Sequence, residues 1–196
     1  MTMSYGKRIN ASFERPDPQV LARLAVYATP DLCDVAGIFD CMTSSIKSWV
    51  SAGKIVGPAL TVRVPPGEGG IIPTAIELAQ PGDIVVIDGK ANTESAYWGD
   101  QRSSLALKSG AIGVIIDGAF RDIDDCEKIG LPIFARGLTC GASGKTGTGE
   151  INVAISCGGV VVNPGDIVFA DRNGVCVIPL QYAADVADRL EQRFPR

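Results

Sequence analysis

The stretch that decides the fold runs Pro81-Gly-Asp-Ile-Val-Val-Ile-Asp-Gly89, continues through Gly99 to Leu107, and closes on Ile112-Gly-Val-Ile-Ile-Asp-Gly118. Asp83 to Asp88 and Ile112 to Ile116 are short, β-branched apolar runs bounded by glycine turns, the pattern of strands buried on both faces. Gly99 to Leu107 reads as a helix that ends at Lys108-Ser-Gly110. The alternation continues with a short helix over Asp122 to Ile129 and a strand over Leu131 to Ala135. Alternating helices and strands flanked by strand-rich segments predict a mixed α/β sandwich.

Towards the N-terminus, Ala59 to Val64 alternates and reads as a strand, Pro65 to Gly70 as a loop, and Ile72 to Leu78 as a helix stopped by Pro81-Gly82. Val20 to Tyr27 has helical spacing. Thr29-Pro-Asp31 starts a second helix, with a capping hydroxyl and then proline at the first helical position, running to about Gly37. Residues 1–17 read as an arm and 18–196 as one domain.

Towards the C-terminus, residues 137–150 form a loop rich in Gly, Ser and Thr; loops of that length are usually functional or mobile. Strands follow over Ile151 to Ser156, Val160 to Val162, Ile167 to Ala170 and Val175 to Ile178, then a helix from about Gln181 to Arg193. Pro81-Gly-Asp-Ile-Val recurs at Pro164-Gly-Asp-Ile-Val, which predicts two equivalent turns into buried strands.

The 196 residues are 46% apolar and 20% charged, with a net charge of −4, a balance that speaks against nucleic acid as a partner. No residue is histidine, which excludes a Ser-His-Asp triad, a Cys-His dyad and a His-ligated zinc. A metal would sit on oxygen, as Mg²⁺ or Mn²⁺ does. The six cysteines (Cys33, Cys41, Cys126, Cys140, Cys157, Cys176) form no C-x-x-C pair and read as free thiols in a reducing cytoplasm. No secretory h-region follows Met1, and no apolar run reaches the ~18 residues of a membrane span. No dinucleotide or phosphate-loop signature is present; Gly141-Ala-Ser-Gly-Lys-Thr146 has the wrong lead spacing. Ile71, Ile72 and Phe169 sit where they could face either the interior or a second copy.

Two segments carry chemistry. Trp98-Gly-Asp-Gln-Arg-Ser103 opens a helix whose first-turn amides and dipole make an anion site, with Gly99 allowing close approach. Asp117-Gly-Ala-Phe-Arg-Asp122 ends an apolar strand, where Arg121 could fork a carboxylate and Asp122 could face a divalent ion. The ordinary reading of each aspartate is a helix cap.

Asp100, twenty intervening residues, then Arg121-Asp122 resembles the D-x20-R-D signature of the class II pyruvate aldolases of the 4-hydroxy-4-methyl-2-oxoglutarate/4-carboxy-4-hydroxy-2-oxoadipate type, which share a fold with the regulator of ribonuclease activity A. Gly82-Asp-Ile-Val-Val-Ile87, Gly113 to Asp122, Leu131 to Gly137, Gly149-Glu-Ile-Asn-Val153 and Asn163 to Val175 are similar to that family too, so the likeness spans roughly residues 20–180. It implies an RraA-like α-β-β-α sandwich of the swivelling-domain kind. It implies cleavage of a 4-hydroxy-2-oxo acid to pyruvate and a second oxo acid, with oxaloacetate decarboxylation as a side activity.

The resemblance also implies site residues. Asp122 binds Mg²⁺ (or Mn²⁺) directly and Asp100 binds it through water. Arg121 holds the pyruvyl keto oxygen and carboxylate. The helix start at Gly99, with the amides of Gln101, Arg102 and Ser103, holds the carboxylate. Arg121 and Asp100 are the catalytic pair, and the site lies between subunits of a homotrimer or homohexamer. Relatives commonly carry apolar residues where this chain has Gln101-Arg102, and some carry a histidine near Pro73. Lys145 and Arg136 are candidates for a distal carboxylate, with solvated charge as the plainer reading. The other function such a fold serves is that of a non-catalytic, protein-binding regulator of a ribonuclease.

Overall fold

The computed structural model describes residues 6–36, 40–50 and 53–196. Residues 1–5 of the arm, and Gly37 at the expected end of the second helix, lie outside them.

The centre of the molecule is a mixed sheet. In chain order its strands are β1 (Lys47–Val50), β2 (Ile55–Arg63), β3 (Ile84–Trp98), β4 (Gly113–Phe120), β5 (Ile133–Leu138), β6 (Glu150–Ile151), β9 (Ile167–Asp171) and β10 (Gly174–Ile178), and they lie in the order β1-β5-β4-β3-β2-β9-β10, with β6 also paired to β2. β2, β3, β4 and β5 run parallel, as strands joined through helices must, while β1, β9 and β10 pair antiparallel. A separate hairpin joins β7 (Ile155–Cys157) to β8 (Val160–Val162). The helices are α1 (Pro18–Leu24), α2 (Thr29–Ala36), α3 (Ile72–Glu77), α4 (Asp100–Lys108), α5 (Ile123–Ile129) and α6 (Ala183–Arg193).

Alternation along the strands sorts the interior into three packed layers, because successive side chains leave opposite faces. Leu60, Val62, Val85, Ile87, Val114 and Ile116 face α3, α4 and α5. Ala59, Ile84, Val86, Ile115 and Phe134 face the hairpin and one side of β9 and β10 (Val168, Ala170, Val175, Val177). Ile167, Phe169, Cys176 and Ile178, from the other side of β9 and β10, pack on α1, α2 and α6. The result is the α-β-β-α layering. It decides one reading left open: Ile71, Ile72 and Phe169 are interior. The exposed large apolar residues include Leu105 and Leu107 on α4 and Leu138 on β5.

β2 belongs to both layers. Ile55 to Pro58 pair with β9, and Ala59 to Arg63 pair with β3. The repeated pentapeptides flank it and build the same device on each side. In both turns an aspartate amide bonds the carbonyl three residues back, Asp83 to Gln80 (3.0 Å) and Asp166 to Asn163 (3.1 Å). Gly82 and Gly165 take φ of +93° and +89°, the position in a type II turn that glycine fills without strain. Each aspartate then accepts the backbone N–H three residues back, Asp83 from Gln80 (2.8 Å) and Asp166 from Asn163 (2.7 Å).

Other expectations shift by a few residues. β3 runs ten residues past Asp88, and the expected strand over Ile151 to Ser156 divides into β6 and β7. Thr29 does not cap α2: its hydroxyl donates to Asp171 Oδ1 (2.7 Å) and its amide to Asp171 Oδ2 (3.0 Å), while Asp31 accepts the N–H of Ala28 (3.0 Å). Thr29 is already the first residue of the helix, with Ala28 O accepting from Leu32 N (3.3 Å), so its hydroxyl is left to donate to the Asp171 carboxylate.

Candidate functional site

Parallel pairing brings the two chemical segments together. Trp98 and Phe120 are register partners at the adjoining ends of β3 and β4, and the Arg121 amide donates to Trp98 O (3.1 Å). Asp100 starts α4 directly after β3, and Arg121-Asp122 follow β4. The twenty-residue spacing is therefore one helix, one turn and one strand, which returns the chain to where it left. Ligands of open α/β sheets collect at such strand ends.

A cavity of about 180 Å³ opens there, lined by Ala96, Trp98, Gly99, Asp100, Gln101, Arg102, Arg121, Asp122, Ala142, Ser143 and Lys145. At ~30 Å³ per water, that is room for about six water molecules, or one small organic acid. Three cations (Arg102, Arg121, Lys145) and two carboxylates (Asp100, Asp122) leave the wall at +1.

Gly99 is the N-cap of α4 and supplies no capping side chain. The first intrahelical bond is Ser103 N–H to Gly99 O (3.0 Å), so the amides ahead of it in the first turn keep their donors for a ligand. Gly99 is extended (φ −177°), a conformation any residue adopts, so space is what demands glycine here. A β-carbon at Gly99 would lie 2.7 Å from Asp122 Oδ2 and 3.4 Å from Arg121 Cγ.

Asp122 occupies the N-cap of α5, yet its side chain makes no capping bond. Its backbone is left-handed (φ 59°, ψ 43°), a conformation costing a non-glycine residue of order 1 kcal/mol, least for Asp and Asn. That turn aims the carboxylate into the cavity, where Oδ2 accepts from Arg121 Nε (3.1 Å). Strain held beside unused donors and acceptors marks a functional position.

The site residues expected from the sequence separate into two groups. Gly99, Asp100, Gln101, Arg102, Arg121 and Asp122 line the cavity together. Ser103 is buried beneath it: its amide is spent on Gly99 O, and its hydroxyl accepts from the Trp98 indole (2.9 Å). Arg102 faces inward, bonding Tyr97 O and Gly69 O (2.8 Å). Burial lowers its pKa, and the neighbouring Arg121 charge lowers it further. Burial raises the Cys126 thiol under the site, and the charges of Asp100 and Asp122 add to that. Lys145 stands in the cavity wall, whereas Arg136 is paired with Asp117 elsewhere.

Sequence reasoning missed Glu68. Its buried carboxylate accepts from Gly70 N (2.7 Å), Gly147 N (3.2 Å), Thr146 N (3.2 Å) and Thr146 Oγ1 (2.9 Å). Burial alone would raise its pKa, but these four donors outweigh burial and hold it below the ordinary carboxylate value. Glu68 thereby ties the loop of Ser143 and Lys145 across the cavity. The available signal was an acidic residue among three glycines in Pro65-Pro-Gly-Glu-Gly-Gly70.

Among the described residues no three or more His, Cys, Asp or Glu side chains form a ready-made metal cluster. The donors in the cavity are carboxylate oxygens, a set that suits a hard cation completing its shell with water and ligand.

The layered α-β-β-α fold, with an acid–arginine–acid cavity at the ends of β3 and β4, defines a family: residues 29–177 match the model described as RraA-like, Aldolase/RraA, and the chain belongs to it. A relative from Halalkalibacterium halodurans named "Putative 4-hydroxy-4-methyl-2-oxoglutarate aldolase" is 42% identical over 152 residues, covering 78% of this chain and 72% of the relative. The crystal structure of Streptomyces coelicolor RraAS2, described as an unusual member of the RNase ES inhibitor RraA family, superposes with TM-score 0.82 at 27% identity over 93% of this chain and 95% of that one. The RNA-processing inhibitor RraA from Thermus thermophilis gives TM-score 0.72 at 26% identity, over 78% and 93%.

Proposed function

We propose that the chain is a divalent-metal-dependent carbon–carbon lyase. It cleaves a 4-hydroxy-2-oxo acid, of the 4-hydroxy-4-methyl-2-oxoglutarate or 4-carboxy-4-hydroxy-2-oxoadipate type, to pyruvate and a second oxo acid. The observation that carries this reading is the Asp122 carboxylate, held left-handed and uncapped beside Arg121 and the open first turn of α4. The names of curated relatives such as the Halalkalibacterium protein support it.

In this reading the amides of Gln101 and Arg102 bind the C1 carboxylate, oriented by the helix dipole. Arg121 places its guanidinium where the C2 oxygen gains charge as the C3–C4 bond breaks. Asp100 accepts, through water, the proton of the C4 hydroxyl, a task no histidine can take here. Asp122, with Asp100 through water, would hold Mg²⁺ or Mn²⁺, which supplies Lewis-acid stabilisation of the enolate when bound. Loss of CO₂ from oxaloacetate gives the same enolate, so decarboxylation accompanies cleavage.

Leu105 and Leu107 on α4 and Leu138 on β5 leave apolar surface exposed. The resemblance implies a homotrimer or homohexamer with the cavity between subunits, an assembly that would have to be shown by its mass in solution. A cytoplasmic enzyme acting on a small oxo acid, without nucleic acid or membrane, is the setting; no helix among the described residues is long and apolar enough to cross a membrane.

The test is pyruvate release from 4-hydroxy-4-methyl-2-oxoglutarate and from oxaloacetate, with and without Mg²⁺, for the parent, Asp122→Ala and Arg121→Ala. Metal-dependent turnover lost in both variants supports the lyase. A folded, metal-supplied parent without turnover on either substrate favours the second reading, a protein-binding regulator of a ribonuclease, which the likeness to the two inhibitor structures supports.

A further inference from the structure

Three of the six cysteines converge at the far layer, on α2, on the segment before β1 and on β10. Asp171 grips the first residue of α2 through both the amide and the hydroxyl of Thr29, which fixes the helix against the end of β9. One turn later Cys33 meets Cys41. The main chain at Cys41 is itself laid on β10, by an antiparallel bridge to Cys176 and by Met42 N–H to Val175 O (2.9 Å). The sulfurs of Cys33 and Cys41 stand 3.0 Å apart, with Cys176 buried beneath them.

The remaining cysteines show what packing alone looks like. Cys126 and Cys157 are buried singly, their thiols turned to Ser103 or to backbone carbonyls. Cys33 and Cys41 are half-exposed and paired. Closing 3.0 Å to the ~2.0 Å of an S–S bond needs an approach of about 1 Å from two elements already docked on the neighbouring strands β9 and β10.

We propose that Cys33 and Cys41 are a modification site, a dithiol that a hydroperoxide converts reversibly to a disulfide. In the first step the Cys33 sulfur attacks the peroxide, an S–O bond forms, the O–O bond breaks, and Cys33 becomes a sulfenic acid as water or an alcohol leaves. In the second, the Cys41 sulfur attacks the Cys33 sulfur, S–S forms, S–O breaks, and hydroxide departs as water with the Cys41 proton. Two thiols lose two electrons and the peroxide gains them.

The electrostatics of the cluster agree on which sulfur starts. The neighbouring Cys176 thiol lowers the Cys33 thiol below the ordinary thiol range, against the cost of burial, with Cys41 adding to the effect. Cys41 is pushed up by burial first, and Cys176 by the neighbouring Cys33 thiol. The site is independent of the lyase reading, since none of the three residues lines the carboxylate cavity.

Tryptic mapping of the whole protein tests it without any variant, because residues 24–47 form one peptide that carries Cys33 and Cys41 alone. Cys176 falls on the peptide 173–189 and the exposed Cys140 on 137–145. The reduced protein is titrated with hydrogen peroxide, and the remaining thiols are then alkylated. The expected result is that peptide 24–47 loses two hydrogens and takes no alkyl group, at a peroxide dose on the order of tenfold below that which oxidises Cys140, and that dithiothreitol restores it. In Cys41→Ser, Cys33 stops at the sulfenic acid and is trapped by dimedone. Oxidation of Cys140 first, with both cysteines of 24–47 alkylated, would overturn the site. A link between 24–47 and 173–189 would overturn the pairing.

Discussion

Gly99 and Asp122 stand so close that a β-carbon on Gly99 would meet the Asp122 carboxylate at 2.7 Å. The backbone of α4's cap and the side chain of α5's cap share one space. Gly99→Ala is therefore expected to fold but to displace Asp122. Steady-state pyruvate release should fall about 100-fold, the usual cost of a misplaced reacting group, with the melting temperature within a few degrees of the parent. Full activity in Gly99→Ala would show that the carboxylate is free to move.

The left-handed backbone of Asp122 separates its conformational role from its chemical one. Asn tolerates that conformation nearly as well as Asp, and Ala does not. Asp122→Asn should therefore melt with the parent while losing metal-dependent turnover. Asp122→Ala should lose the same turnover and also about 1 kcal/mol, some 2–4 °C for a chain of this size. Thermal scans and assays of both proteins, side by side, check it.

Ser103 distinguishes support from contact. It holds the Trp98 indole and stands outside the cavity. Ser103→Ala leaves a buried N–H without an acceptor and should cost about 1–3 kcal/mol in urea unfolding, while kcat and KM under the proposed lyase reading stay nearly unchanged in the folded protein. A KM raised tenfold or more would place Ser103 in direct contact with substrate instead.

Glu68 sets the acid limit of the loop. Its pKa is lowered in the folded state, so its contribution to stability is complete above the ordinary carboxylate value of 4.5 and disappears as pH falls through the lower folded value. Protection of the Gly147 and Thr146 amides from hydrogen exchange, corrected for intrinsic rates, should drop across that acid window in the parent. In Glu68→Gln the drop should be absent, since glutamine does not titrate there.

Much of the fold was legible because the starts of β3 and β9 follow a Pro-Gly turn and the apolar run of β4 meets Asp117-Gly118, and the two pentapeptides announced equivalent turns; β1, four residues without such a turn, was not anticipated. The extension of β3 past Asp88 was not, because Gly89-Lys-Ala-Asn-Thr-Glu94 is polar and carries Lys90 and Ala91 at positive φ, which no hydrophobic period reports. The pairing of Asp100 with Arg121-Asp122 was legible through the resemblance to the D-x20-R-D signature, and the parallel register of β3 and β4 is what brings the two segments together. Glu68, the inward bonds of the Arg102 guanidinium and the thiol cluster were hidden for a common reason. Each acts on segments far away in sequence, Glu68 on Thr146, Arg102 on Gly69 and Cys41 on Cys176, and local pattern does not encode such pairings.

The double membership of β2 has a consequence for how the chain is made. One half of that strand waits for β3, which follows it closely, and the other half waits for β9, more than a hundred residues later. A ribosome-bound chain that has emerged only as far as β5 carries β2 with one edge unpaired and two of its three apolar layers uncovered, a template for aggregation. That half of β2 stays unpaired until β9 has been made, however fast the loop itself closes. The C-terminal sixth of the chain is the clasp that ends that exposure.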